Sequence, residues 1–67
     1  MATLLERVRA AAGRLSRLED ELEAARQELI ERVRAAADEG VPIARIAREA
    51  GVSRPTVYEW LKRPGSA

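Results

Sequence analysis

The feature that most constrains this chain is a long stretch, from Thr3 to Glu39, that contains no proline and a single glycine, Gly13. Alanine, leucine, glutamate and arginine occupy most of its positions, and all four are strong helix formers. A stretch of this kind is typical of one long helix or of two helices broken at the glycine. The fold class that it predicts is all-α.

Both ends of the predicted helix carry terminal signals. Thr3 and Glu6 match the capping box, in which the threonine side chain accepts a backbone N–H of the first turn. Gly40 supplies the stop, because glycine readily takes the left-handed conformation at a helix C-terminus. Pro42 follows closely and cannot continue a helix, although it can open the next one. The sequence therefore predicts a helix over residues 4–39.

Gly13 is the weak point of this helix, since glycine costs about 1 kcal/mol against alanine in a helix interior. Ser16 and Glu19 form a second capping-box pattern that can restart a helix just after it. The apolar pattern nevertheless keeps its phase across the glycine, whereas a loop would usually shift it. We therefore predict a continuous helix; the alternative is that residues 4–12 fold back at Gly13 into a compact bundle.

Apolar residues recur at heptad spacing along the first three quarters of the long helix, a pattern typical of a coiled coil. Such a stripe would be exposed on a monomer, so self-association is the simplest explanation. We predict that residues 1–29 form the coiled-coil segment of a homodimer. The predicted dimer interface consists of Leu4, Val8, Ala11, Leu15, Leu18, Leu22, Ala25 and Leu29.

The heptad pattern fails after Leu29, because Arg32 occupies the next interface position. A second apolar stripe, rotated around the helix, takes over at Ile30, Val33 and Ala37. The last turns of the helix are therefore predicted to present a different face to the C-terminal part of the chain.

Charge and packing along the helix favour an antiparallel dimer. Residues 1–18 carry four arginines and one glutamate, whereas residues 19–40 carry three arginines and eight carboxylates. Parallel chains would place these like-charged halves side by side. Antiparallel pairing also sets each interface alanine against a larger side chain of the second copy. Counts of flanking ion pairs do not separate the two orientations.

Two short segments follow the long helix. Apolar residues at i, i+3, i+4 and i+7, starting at Ile43, predict an amphipathic helix over residues 42–50. Gly51-Val52-Ser53 then forms a turn, and its serine is a good N-cap for a helix predicted over residues 54–63. Two short helices joined by such a turn are the sequence form of a DNA-binding helix-turn-helix.

At these residues the chain resembles a known family. The segment IAREAGVSRPTVYEWLK is similar to the helix-turn-helix of the resolvase/invertase recombinases and related small bacterial regulators, a homeodomain-like three-helix fold. The resemblance covers residues 28–63, and its most specific part is Gly51-Val52-Ser53 followed by Thr56-Val57-Tyr58 and Trp60. It implies that these residues form a DNA-binding unit whose last helix enters the major groove. Recombination is not implied, because 67 residues cannot hold a recombinase catalytic domain.

The charge distribution agrees with this interpretation, since residues 41–67 carry five cations and two carboxylates while residues 1–40 sum to −2. Arg54 is the foremost candidate to contact a base or a phosphate. Glu59 stands where a cation is more usual, and it can accept from a cytosine amino group or pair with an arginine. The predicted DNA-facing residues are Ser53, Arg54, Pro55, Thr56, Tyr58, Glu59, Lys62 and Arg63, with Arg45 and Arg48 as phosphate contacts.

Each of these assignments has a plainer alternative. The arginines can simply be solvated, and Tyr58 can lie half-buried instead of stacking over a sugar and donating to a phosphate. Trp60 is assigned to the core instead of the DNA face, because its spacing from Val57 and Leu61 is helical and indole burial is large.

The residue types on which most enzymes and metal sites depend are missing. The chain has no cysteine and no histidine, which removes thiol nucleophiles, imidazole bases and nearly every zinc or copper site. We predict no catalytic residues, no metal, no cofactor and no small-molecule ligand. The sequence contains no run of about 18 apolar residues, so no membrane partner is predicted and the expected location is the bacterial cytoplasm, at the nucleoid.

We therefore predict a dimeric, non-enzymatic protein that binds double-stranded DNA, either a small transcriptional regulator or a nucleoid-associated architectural protein. The alternative is an interaction module whose coiled coil pairs with another protein's helix and whose helix-turn-helix docks a protein partner. A basic amphipathic helix on a membrane is a third interpretation, which the lack of aromatic anchors in the leucine stripe disfavours. Residues 64–67 are predicted to form a disordered tail.

Overall fold

Three α-helices make up the part of the chain that the computed structural model describes, residues 3–62. They are α1 (Leu4–Asp38), α2 (Ile43–Ala50) and α3 (Arg54–Lys62), and no strand occurs between residues 3 and 62. The all-α prediction and the long first helix are confirmed. Arg63 and the predicted tail over residues 64–67 lie outside the described residues.

Helix α1 runs without interruption through Gly13, so the prediction of a continuous helix is confirmed. The hydroxyl of Thr3 accepts from the backbone N–H of Glu6 at 3.0 Å, as the capping box predicts. The helix ends at Asp38, one residue before the predicted end, because Glu39 serves as the C-cap. Gly40 then turns the chain at a φ of +88°, a conformation that L side chains rarely adopt.

Helix α2 begins one residue later than predicted. Pro42 has an extended ψ of 138° and precedes the helix instead of opening it. Its carbonyl oxygen accepts from the N–H groups of Arg45 and Ile46, at 3.0 and 3.1 Å. The helix stops at Gly51, whose N–H donates to the carbonyl of Arg48. Its φ of +72° lets the following N–H, of Val52, donate back to the carbonyl of Ala47. This turn sets the angle between α2 and α3.

Within residues 3–62, the core consists of four side chains drawn from all three helices: Val33 of α1, Ile46 and Ala47 of α2, and Val57 of α3. Val57 is completely enclosed. A ring of partly buried apolar residues packs against this core, namely Ala36, Ala37, Val41, Ile43, Ala50, Val52, Trp60 and Leu61. The core therefore uses only the last turns of α1.

The two apolar stripes of α1 have different surroundings. Val33 is buried, and Ile30 and Ala37 are half-buried, which confirms that the second stripe faces the C-terminal helices. The heptad stripe remains exposed, with 80% of Leu4 and 52% of Leu22 accessible to solvent. The seven turns before the core thus form a helical arm whose apolar face has no partner within residues 3–62.

Two glycine-to-alanine substitutions are expected to change stability in opposite directions. Gly13→Ala should raise the free energy of unfolding by about 0.5–1 kcal/mol, because alanine is the better helix former. A Cβ at this position would meet only the Arg17 guanidinium, at an ordinary 3.6 Å. Gly51→Ala should lower the free energy of unfolding by about 1–2 kcal/mol, because its φ is positive.

Urea unfolding followed by circular dichroism at one fixed protein concentration measures both effects. A loss of stability in Gly13→Ala would contradict a continuous α1.

Candidate nucleic-acid interface

The turn between α2 and α3 is held by side chains at the start of α3. The Oγ atom of Ser53 accepts from the backbone N–H of Thr56 at 3.3 Å, which is the N-cap contact that the sequence predicts. The hydroxyls of Ser53 and Thr56 also lie 2.9 Å apart, within hydrogen-bond distance. Both hydroxyls therefore stabilise the first turn of α3 and orient that end of the helix.

Helix α3 has two distinct faces. Val57 is enclosed in the core, and Trp60 and Leu61 are half-buried against it, so the assignment of Trp60 to the core side is confirmed. The opposite face is open to solvent, and 54% of Tyr58 is accessible. The exposed residues of α3 are Arg54, Pro55, Tyr58, Glu59 and Lys62.

The chemistry of this exposed face suits contact with nucleic acid. Arg54 stands at the first position of α3 and Lys62 at the last, so cations lie at both ends of the face. Tyr58 presents an aromatic surface and a hydroxyl between them. Glu59 adds a carboxylate that can accept from a base amino group or pair with a nearby cation. The planar guanidinium of arginine and the ammonium group of lysine are the usual partners of phosphates and of guanine edges.

Arg45 and Arg48 stand three residues apart on α2, so their side chains are neighbours on its surface. Arg45 lines a groove between α1 and α2, together with Arg32 and Glu49. Arg48 is exposed and does not line this groove. Both predicted phosphate contacts are exposed on α2. Arg63, predicted as a further contact, lies outside the described residues.

One residue that positions α3 was missed by the sequence analysis. The guanidinium of Arg34 donates twice to the carbonyl oxygen of Trp60, from Nε at 3.3 Å and from Nη2 at 3.0 Å. In a continuing helix this carbonyl would accept from residue 64, which is a proline and has no N–H. Arg34 supplies the missing donor and places a positive charge near the C-terminal end of α3, where a helix favours cations.

A signal for Arg34 was present in the sequence, although it is weak. Arg34 follows Ile30 by four residues and precedes Ala37 by three, so it belongs to the same side of α1 as the second apolar stripe. Pro64 stands four residues after Trp60 and leaves one carbonyl without a helical donor. Only the packing of α3 against α1 brings these two features together.

Other kinds of site are not evident in residues 3–62. No group of three or more acidic side chains within this range is arranged to hold a metal ion. Within the same residues, no helix combines the length and apolar character required to cross a membrane.

Comparison with known proteins identifies the same region. A family model described as a homeodomain-like domain matches residues 20–65, which is more than half of the chain. The match spans the second half of α1 and both short helices, and it supports helix-turn-helix DNA binding. No curated protein and no solved structure matches the chain.

Removal of the Arg34 guanidinium should loosen α3. We expect Arg34→Met, which keeps a long apolar stem, to lower the free energy of unfolding by about 1–3 kcal/mol, because the Trp60 carbonyl loses a charged donor. Arg9→Met is the matched control, since Arg9 is exposed on the helical arm.

Urea unfolding of both variants measures the difference, and Arg34→Lys should recover part of the loss because it restores one donor. Equal stability of Arg34→Met and Arg9→Met would contradict this role.

Proposed function

The chain belongs to the homeodomain-like domain family, and on this premise we propose that it binds double-stranded DNA with α3 in the major groove. The observation that carries the proposal is the division of α3 into two faces. Val57 anchors one face in the core, while Arg54, Tyr58 and Lys62 project into solvent on the other. A helix that is anchored on one side and polar on the other can enter the groove without disturbing the fold.

We assign roles along the exposed face by chemistry. Arg54 contacts a guanine edge or a phosphate near the start of α3, and Lys62 contacts a phosphate at its end. Tyr58 lies over a sugar and donates to the backbone. Ser53 and Thr56 act mainly through the cap, because their hydroxyls already contact each other.

One copy of this unit offers few phosphate contacts. Each phosphate that is neutralised contributes about 0.9 to the slope of log K against log salt concentration, so a small basic face gives weak binding with a shallow salt dependence. Two linked copies double the number of contacts. The modest positive charge of the helix-turn-helix end is therefore an argument for a dimer.

The exposed heptad stripe of α1 provides a surface for such a dimer. Leu4, Val8 and Leu15 are 80%, 63% and 58% exposed, and leucines continue at the same spacing to Leu29. Burial of each such side chain contributes about 1.5–3 kcal/mol. We propose that a second copy covers this stripe.

The two copies run antiparallel in this proposal. The positively charged first half of α1 then faces the acidic second half of the other copy. Arg7 comes opposite Glu28 of the second copy, and Arg14 comes opposite Glu21. The dimer centre falls near Ser16 and Arg17.

The antiparallel dimer separates its DNA-binding units by a distance that matches the duplex. At 1.5 Å per residue, the ends of the two α1 helices lie about 65 Å apart. Two turns of B-form DNA span about 68–72 Å. The dimer can therefore contact two major-groove sites on one face of a duplex, either as a small transcriptional regulator or as a nucleoid-associated architectural protein.

DNA binding is tested by one substitution and its charge-matched control. Arg54→Ala should weaken binding to a labelled duplex at least fivefold at moderate salt, which corresponds to about 1 kcal/mol. Arg9→Ala removes the same charge from the helical arm and should change affinity far less. Fluorescence anisotropy at two salt concentrations measures both.

Selection from a random pool of duplexes then separates the two roles. Enrichment of a two-part motif supports a specific regulator, and salt-sensitive binding without enrichment supports an architectural protein. An absence of binding even at low salt would contradict DNA binding and favour a protein partner for the coiled coil.

Disulfide trapping tests the dimer, and the chain has no cysteine to interfere. In the antiparallel arrangement, Leu4 of one copy lies opposite Leu29 of the other. A mixture of the single variants Leu4→Cys and Leu29→Cys should therefore form a mixed disulfide, whereas each variant alone should not cross-link. Efficient cross-linking of either variant with itself would show a parallel dimer and refute this orientation.

A further inference from the structure

We propose that the groove between α1 and α2 is a socket for Leu4 of a second copy, so that the first turn of one α1 completes the DNA-binding unit of the other. This inference rests on the proposed antiparallel dimer and adds α2 to its interface. In this proposal, the first turn of one α1 packs against α2 of the other copy and so contributes to its helix-turn-helix unit.

The groove is an apolar depression with charged edges. Its volume is about 250 Å³, and it opens to solvent. Three charged residues also line the groove: Arg32, Arg45 and Glu49. The apolar lining consists of Leu29, Val33, Ala36, Val41, Ile46 and Ala50.

The groove continues the exposed stripe of α1. Leu22, Leu29 and Ala36 follow one another at intervals of seven residues and so lie on nearly the same side of the helix. Leu29 ends the leucine stripe and also lines the groove. The surface that a second α1 would cover therefore leads directly into the groove.

Helix α2 limits how far that second helix can extend. Beyond Leu29, the face of α1 that carries the stripe borders the groove, and α2 forms the opposite wall. Two parallel copies would have to bring their α2 helices together at this level or separate their α1 helices before it. In the antiparallel register, α1 of the second copy begins at Leu4, directly opposite Leu29, so it stops where α2 begins to intervene.

The direction of the leucine side chain fits the socket. In an α-helix, the Cα–Cβ bond tilts toward the N-terminus of the helix. In the antiparallel dimer, this tilt carries the side chain of Leu4 past Leu29 toward the level of Val33, inside the groove. Leu4 is 80% exposed among residues 3–62, so most of its apolar surface is available to contact a second copy.

The charges beside the groove suit the same approach. The Oε1 atom of Glu28 lies 3.7 Å from Nη2 of Arg32, which lines the groove. Arg7 follows Leu4 by one turn and comes opposite Glu28 in this register, so it can join the pair as a second cation around one carboxylate. Exposed pairs of this kind contribute little free energy, but they favour one register over its neighbours.

Intermolecular NOEs measured on a mixture of isotope-labelled and unlabelled full-length chain test the socket directly. We expect contacts between the Leu4 methyls of one copy and the Val33 and Ile46 methyls of the other. Leu4–Leu29 contacts without any contact to Val33 or Ile46 would refute the socket while leaving the antiparallel dimer intact. Leu29–Leu29 contacts, or the absence of intermolecular contacts, would refute both the socket and the antiparallel dimer.

Two leucine substitutions provide a thermodynamic test. Leu4 and Leu5 are both largely exposed in the single chain, but only Leu4 belongs to the heptad stripe. Leu4→Ala should raise the dimer dissociation constant at least tenfold, and Leu5→Ala should raise it much less. Analytical ultracentrifugation measures both constants.

At concentrations where both variants are dimeric, Leu4→Ala should also shift the Ile46 methyl resonance toward its position in the dilute monomer, and Leu5→Ala should not. Two results would overturn the socket: equal dissociation constants for the two variants, or an Ile46 methyl resonance that does not shift in Leu4→Ala. Neither result bears on DNA binding, which the duplex titration tests separately.

Discussion

Enclosure of Val57 between α1 and α2 is the contact on which the rest of the structure depends. Among residues 3–62 the buried core contains four side chains, so α3 has few other buried contacts there to hold it. Val57 sets the distance of α3 from the other helices, and the double hydrogen bond from Arg34 to the Trp60 carbonyl fixes its far end. An apolar anchor and a polar tether together leave the outer face of α3 free for a ligand.

Helix α1 is continuous, but its two ends have different surroundings. Its last turns belong to the core through Val33, while its earlier turns carry an apolar stripe that stays exposed among residues 3–62. The change occurs near Leu29, where the heptad stripe borders the groove beside α2. Because a helix is stiff, whatever covers the arm is held at a set distance from the helix-turn-helix.

The candidate interface was predictable in part. A serine cap, a buried valine and an exposed polar residue directly after the valine follow from helical spacing alone, and the structure has Ser53, Val57 and Tyr58 in those positions. The role of Arg34 was not predictable with the same ease, because its acceptor lies 26 residues away in the chain. The location of Arg45 in the α1–α2 groove likewise depends on how two helices cross, which periodicity does not encode.

The sequence by itself determined the three helices, their order, the continuity of α1 through Gly13 and the rotation of its apolar face after Leu29. These features are local, since capping, propensity and side-chain periodicity act over one or two turns. Only the tertiary structure decided that Arg34 holds the end of α3, that Arg45 lines a groove beside α1, and that this groove continues the heptad stripe. Those features arise from the packing angles of α2 and α3 against α1, which a few buried side chains set over distances that no local rule spans.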